Sequence, residues 1–269
     1  MDILHLIVLA LVQGVTEFLP ISSSGHLILI PLLTQWPDQG VLIDIAVHIG
    51  TLGAVIMYLS RDLTAMVGGF VGGERSGSIA AQNRGLVWKT AIATVPIIVA
   101  GFALHEFADI NLRSLTVIAW AMIGFGIVLW LADRYASTNR ELAELSYGDA
   151  VLIGVAQVLA LIPGTSRAGI TMTAARMLGY QRTDAARFSM LLSIPTIFAA
   201  GGLATIEIIA IGNFDLGRDA LFAALLSMFS ALIAIVLMMR WLRNASFMPF
   251  VVYRVVFGLV LLVVFYTSH

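Results

Sequence analysis

Cysteine is absent from the 269 residues, which excludes disulfides, thiolate metal sites and a cysteine nucleophile. Charge is scarce as well. Only 12% of residues are Asp, Glu, Lys or Arg, about half the share of a soluble domain, and no basic run points to nucleic acid. The opening stretch "MDILHLIVLALVQG" lacks a basic n-region and a small-x-small cleavage site, so it reads as a helix rather than a cleaved signal peptide. The apolar segments lack period-two alternation, which argues against a β-barrel. "GGFVGG" at 68–73 has no GKS/T behind it and reads as a flexible loop or a close-packing patch, not a nucleotide site.

Apolar residues are what the chain has, 59% of the total, with a mean hydropathy of +0.96. Such a chain is an all-α polytopic membrane protein. Six stretches approach the ~20 residues that cross a bilayer core of roughly 30 Å: about 44–59, 86–105, 115–131, 188–211, 221–239 and 251–266. Two more are interrupted. One runs 3–19, breaks at "PISSSGH" and resumes at 27–33; the other runs 151–162, breaks at "PGTSRAG" and resumes at 170–178. Each half is too short to span, so each pair reads as a re-entrant helix–loop–helix hairpin.

Charge orients the spans, because short cytoplasmic loops carry excess Lys and Arg. One side collects Arg61, Arg75, Arg84, Lys89, Arg134, Arg140, Arg176, Arg182, Arg187, Arg240 and Arg243, whereas the other has Arg113 and Arg218 beside Asp109, Asp215 and Asp219. The first side is therefore read as cytoplasmic, with both termini outside. The two hairpins then enter from opposite faces. "VQGVTEFLPISSSG" also echoes "AQVLALIPGTSRAG", so a single membrane domain, 1–269, is expected to be an inverted-topology repeat of about 1–131 with 148–266, joined by a cytoplasmic linker at 132–147.

Backbone that leaves helical geometry inside a bilayer has unpaired N–H and C=O groups, each costing several kcal/mol unless buried in protein or wetted by a cavity. Pro20 and Pro163 stop the first half-helices, Gly25, Gly164 and Gly169 allow close approach, and the Ser and Thr residues can cap the second ones. Two half-helix N-termini facing a midplane cavity form an anion site. Around it fall Gln13 and Glu17, spaced i, i+4, then Ser22, Ser23, Ser24 and His26, and from the opposite break Ser166, Arg167 and Thr171. Arg forks phosphate, Ser or His serves as nucleophile, and a carboxylate holds a divalent cation or orients a base. The combination describes phosphoryl transfer.

"QGVTEFLPISSSGH" and "PGTSRAGIT" resemble the two signature motifs of the undecaprenyl-diphosphatase, or bacitracin-resistance, family, and the likeness extends to the ending "FMPFVVYRVVFG". The resemblance implies a multi-pass bacterial inner-membrane phosphatase that converts undecaprenyl diphosphate to the monophosphate for peptidoglycan synthesis, with six full spans, two opposed hairpins and a site facing the periplasm. Carried over by position, Glu17 is the essential carboxylate, Ser23 the nucleophile, His26 the alternative nucleophile or the base that deprotonates Ser23, and Arg167 the diphosphate clamp. Ser166, Thr171, Gly164, Ser22 and Ser24 complete the substrate site. A divalent cation, Mg²⁺ or Ca²⁺, is implied at Glu17 and Gln13. Two positions depart from the pattern: Gln13 stands where many members have glutamate, and Ala168 replaces the serine after the arginine.

The implied partners are a polyprenyl diphosphate lipid and the bacterial membrane, with a homodimer left open. By fold logic alone, a transporter or lipid-phosphate flippase uses the same architecture. The nucleophile–base pair beside an anion clamp, together with the motifs, favours the enzyme. His48 in "AVHIGT" reads as a satisfied interior histidine, and Arg254 as one half of a structural pairing.

Overall fold

A computed structural model describes residues 2–34, 36–71, 77–107, 114–211 and 217–267. Eleven α-helices occur among them: α1 (Ile3–Thr16), α2 (Ser23–Thr34), α3 (Gly40–Tyr58), α4 (Ser60–Val71), α5 (Gly77–Phe107), α6 (Leu115–Tyr135), α7 (Tyr147–Gln157), α8 (Arg167–Met177), α9 (Arg182–Ile211), α10 (Arg218–Leu242) and α11 (Met248–Thr267). Six of these, α3, α5, α6, α9, α10 and α11, are long and apolar enough to cross a membrane. The expected spans are therefore present, though most begin several residues earlier than hydropathy places them. Polar end turns stay helical because caps and ion pairs, rather than hydrophobicity, set where a helix stops.

The short helices form the two interrupted pairs, α1–α2 and α7–α8. Each first half ends before a proline, which has no N–H to donate; α7 runs on through a 3₁₀ turn at Val158–Leu161. Each second half opens on a serine in the left-handed region, Ser22 at φ 74° and Ser166 at φ 71°. Both hydroxyls accept from a glycine N–H three residues on, Gly25 at 3.3 Å and Gly169 at 3.0 Å. The same strained cap thus starts both half-helices, and it places Ser23 and Arg167 at corresponding first-turn positions.

Small residues let the helices approach closely, as expected where no hydrophobic drive operates between helices in lipid. A Cβ added at Gly50 would lie 2.1 Å from the Ala224 carbonyl oxygen, and one at Gly154 would lie 2.3 Å from that of Ala93. α10 packs along α3 and α1, α11 along α6, and α8 between α6 and α9. Bulky side chains such as Phe198, Phe229 and Ile233 point outward, where lipid tails are as apolar as they are.

Polar ties fix one end of the bundle. Asp133 accepts from Arg182 at 2.7 Å, Arg176 at 3.2 Å and the Phe247 backbone at 3.1 Å. The connection after α6 is held by Arg140, which bonds Asp149 at 2.7 Å and pairs as an isolated bridge with Tyr180. Arg187 is clamped to Asp62. Burial pushes the Asp149 carboxyl up, but hydrogen bonds from Arg140, Tyr180 and Ser146 outweigh it and hold the group well below the usual carboxylate range.

The flexible-loop reading of "GGFVGG" is corrected where it can be seen. Gly68 and Gly69 lie inside α4, and a Cβ at Gly69 would meet the Ala80 carbonyl oxygen at 2.9 Å. Gly72 and Gly73, like Arg75, Asp109, Arg113 and Asp215 used in the charge count, fall outside the described residues.

Candidate active site

The two breaks meet at Glu17, which is buried at the end of α1. Its Oε1 accepts from Arg167 Nη2 at 2.8 Å, across 150 positions of sequence. Its Oε2 accepts from Ser23 Oγ at 2.7 Å and from Gln13 Nε2 at 2.9 Å. One carboxylate therefore gathers the helix face before the first break, the serine after it, and the arginine of the second. Burying a carboxylate and a guanidinium separately would cost several kcal/mol each; placing them together offsets most of it.

Arg167 is steered from behind. Its Nη1 donates to the Ser189 carbonyl of α9 at 3.3 Å, which leaves the remaining guanidinium N–H groups for a ligand. Thr171 supports the same region: its hydroxyl lies 2.9 Å from the Arg167 carbonyl oxygen and 2.7 Å from Ser189 Oγ.

A cavity of about 340 Å³ opens in front of these groups, and Glu17, Ser23, Ser24, Asp44, His48, Ser166, Arg167 and Thr196 supply its polar lining. Val41, Ile45, Ile97, Ile197 and Ala200 form an apolar wall. A polar centre with a greasy flank suits an amphipathic ligand with an anionic head. Of the residues expected from sequence, Gln13, Ser22, His26, Gly164 and Thr171 do not border this cavity. Gln13 and Thr171 sit directly behind it. Ser22 caps α2. Gly164, at φ +93°, is pressed so closely on α6 that a Cβ would lie 2.5 Å from the Ile118 carbonyl oxygen.

His26 is held away from this cavity. Its Nδ1 lies 2.6 Å from the Ser22 carbonyl oxygen and its Nε2 2.5 Å from Tyr253 Oη, while the ring stacks on Phe257 with centroids 5.1 Å apart. Both nitrogens are engaged, and the Ser23 hydroxyl points to Glu17 instead. The i, i+3 spacing put His26 and Ser23 near each other in sequence, but α2 turns the imidazole toward α11.

His48 is the histidine that faces the cavity, where the sequence suggested a satisfied interior one. It lines the cavity, with Nε2 3.9 Å from Glu17 Oε2 and Nδ1 2.7 Å from the Asp44 backbone carbonyl oxygen. Asp44 borders the same space and accepts from Gln39 at 2.9 Å. A signal was present: Asp44 and His48 are spaced i, i+4 in an otherwise apolar span, the spacing that marked Gln13 and Glu17.

Arg254 is fully buried, and the structural pairing expected of it is made with backbone rather than with a side chain among the described residues. It donates to four carbonyls, those of Pro20 at 3.1 Å, Gly164 at 3.0 Å, Met122 at 3.1 Å and Ala121 at 3.3 Å. One guanidinium thus satisfies backbone oxygens freed by both breaks and ties them to α6.

Residues 6–260 match the family described as bacitracin resistance protein BacA. The chain is 48% identical over 268 residues to the undecaprenyl-diphosphatase of Roseobacter denitrificans, covering 99% of this chain and 100% of that one. It is 51% identical over 268 residues to that of Jannaschia sp., with the same coverage. The undecaprenyl-diphosphatase of Saccharophagus degradans is 45% identical over 261 residues, 96% of each chain. With both helix breaks and the Glu17–Arg167 tie inside the matched region, the chain belongs to the bacitracin resistance protein BacA family.

Proposed function

We propose that the protein hydrolyses undecaprenyl diphosphate to undecaprenyl phosphate and phosphate, returning the lipid carrier to peptidoglycan synthesis and conferring bacitracin resistance. The observation that carries this reading is the hydrogen bond from Ser23 to Glu17 in a cavity that Arg167 also borders. A nucleophile, its base and an anion clamp are what phosphoryl transfer needs, because positioning and charge neutralisation provide most of the catalysis.

The diphosphate head sits against Arg167 and the N-termini of α2 and α8, where unpaired N–H groups favour anions, and the first isoprene units lie along the apolar wall. Ser23 Oγ attacks the terminal phosphorus while Glu17 takes its proton; the anhydride bond breaks and undecaprenyl phosphate leaves with the electron pair. A water oxygen then bonds the phosphorus of phosphoserine, the P–Oγ bond breaks, and Glu17 returns its proton to Ser23. Phosphate departs with both protons of the water. Glu17 replaces His26 as the base in this scheme, since its Oε2 already accepts the hydrogen bond of the Ser23 hydroxyl, with Oγ 2.7 Å away.

A divalent cation, Mg²⁺ or Ca²⁺, fits here as an oxygen-ligated ion. Gln13 Oε1 is buried without a hydrogen-bond partner among the described residues, next to the Glu17 carboxylate that its own amide nitrogen reaches. Among the described residues no three His, Cys, Asp or Glu side chains form a closed cage, so Glu17 and Gln13 would hold the ion together with phosphate oxygens, as is common for Mg²⁺. When bound it supplies positive charge to the diphosphate. The side of the membrane follows from the charge count: the excess of Arg and Lys on the opposite face supports a cavity open to the periplasm.

Phosphate release from undecaprenyl diphosphate by the purified protein in detergent tests the reading. No release, or full activity after Arg167→Ala, overturns it.

A further inference from the structure

The cavity contains one imidazole, and it is not the one the motif supplies. His26 has both ring nitrogens hydrogen-bonded. Among the described residues His48 has only Nδ1 hydrogen-bonded, to the Asp44 carbonyl oxygen at 2.7 Å. A carbonyl oxygen only accepts, so the neutral ring carries its hydrogen on Nδ1 and presents a lone pair at Nε2. Nε2 lies 3.9 Å from Glu17 Oε2. That is too long for a hydrogen bond and short enough for one oxygen atom to touch both. Glu17 Oε2 is also the atom that receives the Ser23 hydroxyl at 2.7 Å, so an oxygen held between His48 and Glu17 sits beside the nucleophile.

We propose that His48 is a positioning residue for the second half of the reaction: its Nε2 accepts a hydrogen bond from the water that opens phosphoserine and aims that water's oxygen at the phosphorus. This rests on the phosphoserine mechanism above. In the step, the water oxygen–phosphorus bond forms, the P–Oγ bond breaks, Ser23 recovers the proton held by Glu17, and both water protons leave with phosphate. The imidazole neither gains nor loses a proton. First-half chemistry does not use His48, because Ser23 already has Glu17 as its acceptor. The other ionisable side chains bordering the cavity are Glu17, Asp44 and Arg167; Arg167 faces the phosphate, and Glu17 is committed to returning the Ser23 proton. Asp44 already accepts from Gln39 at 2.9 Å, and the His48 Nε2 lone pair is the acceptor that faces Glu17 Oε2 at 3.9 Å, so the water is assigned to it.

The test is rapid-quench kinetics on the full chain in detergent, with undecaprenyl diphosphate labelled in the terminal phosphate. For His48→Leu, which removes the acceptor, acid-stable label is expected on Ser23 at close to the wild-type formation rate. It then accumulates, while steady-state phosphate release falls by about 10²-fold, the scale of a misplaced reactant. His48→Gln, whose amide oxygen can stand where Nε2 stands, is expected to recover most of the rate. The proposal is overturned if His48→Leu turns over like wild type, if its turnover falls without label building up, or if Gln is no better than Leu. Absence of acid-stable label on Ser23 in the wild-type protein overturns the phosphoserine mechanism and this role with it. Label present in wild type but not accumulating in His48→Leu overturns the His48 role alone.

Discussion

Glu17 and Arg167, 150 residues apart in sequence, are joined at 2.8 Å, and that contact closes the two helix breaks over one cavity. Each residue serves twice. Glu17 compensates the arginine and accepts the Ser23 hydroxyl hydrogen bond; Arg167 compensates the carboxylate and faces the anion.

Replacing Arg167 with Lys keeps the charge but loses the planar fork. A compact ammonium does not reproduce the rigid fork that spans the Ser189 carbonyl and Glu17 while still facing a phosphate. The expected result is a fall in kcat of about 10²–10³-fold, the scale for loss of a preorganised charge donor, measured as phosphate release in detergent. Ser23→Ala is expected to fall further and to leave no acid-stable label.

Ser22 separates capping from chemistry. Ser22→Ala removes the hydroxyl that accepts from Gly25 and leaves a Cβ at φ 74°. A loss of about 0.5–2 kcal/mol of stability is expected. Ser22→Gly relieves the left-handed strain and is expected to cost less. Thermal unfolding of the detergent-solubilised protein ranks the two, and the opposite order would exclude this cap.

Arg254→Met leaves the carbonyls of Pro20, Gly164, Ala121 and Met122 buried with their guanidinium gone. At roughly 1–3 kcal/mol for an unsatisfied buried group, this substitution is expected to be the most destabilising of those discussed. It should lower the unfolding temperature of the apo protein as well as activity.

Gln13→Glu places a second carboxylate beside Glu17. The two repel unless a cation sits between them, so this variant is expected to depend more strongly on Mg²⁺ or Ca²⁺ for folding and turnover, to saturate at lower free metal, and to lose more activity than wild type on chelation. Activity against free metal concentration decides the point.

At the other end of the bundle, Asp149 is held ionised by Arg140, Tyr180 and Ser146. Its depressed folded value stabilises the protein above the unfolded carboxylate value of about 3.9, and that contribution is lost as pH falls toward the folded value. Asp149→Asn is expected to melt lower than wild type by a constant margin from about pH 5 to 8, and the margin should shrink at more acidic pH. Melting curves of both proteins across that range check it.

Composition alone determined the class of fold, because 59% apolar residues with 12% charge leave only a membrane as solvent, and continuous apolar runs leave only helices. Pro20 and Pro163 marked where two helices must break, and the cost of a charge in lipid drew Glu17, His26 and Arg167 toward one anion site; that Glu17 and Arg167 bond each other directly came from the tertiary structure. Side-chain direction was not determined. His26 lies three residues from Ser23 yet faces Tyr253, because rotation about α2 and the packing of α11 set its aim. His48 looked like a core histidine because nothing in "AVHIGT" says which face of α3 meets Glu17. Arg254 had no visible partner because its partners are backbone oxygens, which every residue has and no sequence pattern distinguishes. Local chemistry is written in the chain; which groups converge on one cavity was decided by how the helices rotate and pack, and that follows from contacts between residues far apart in sequence.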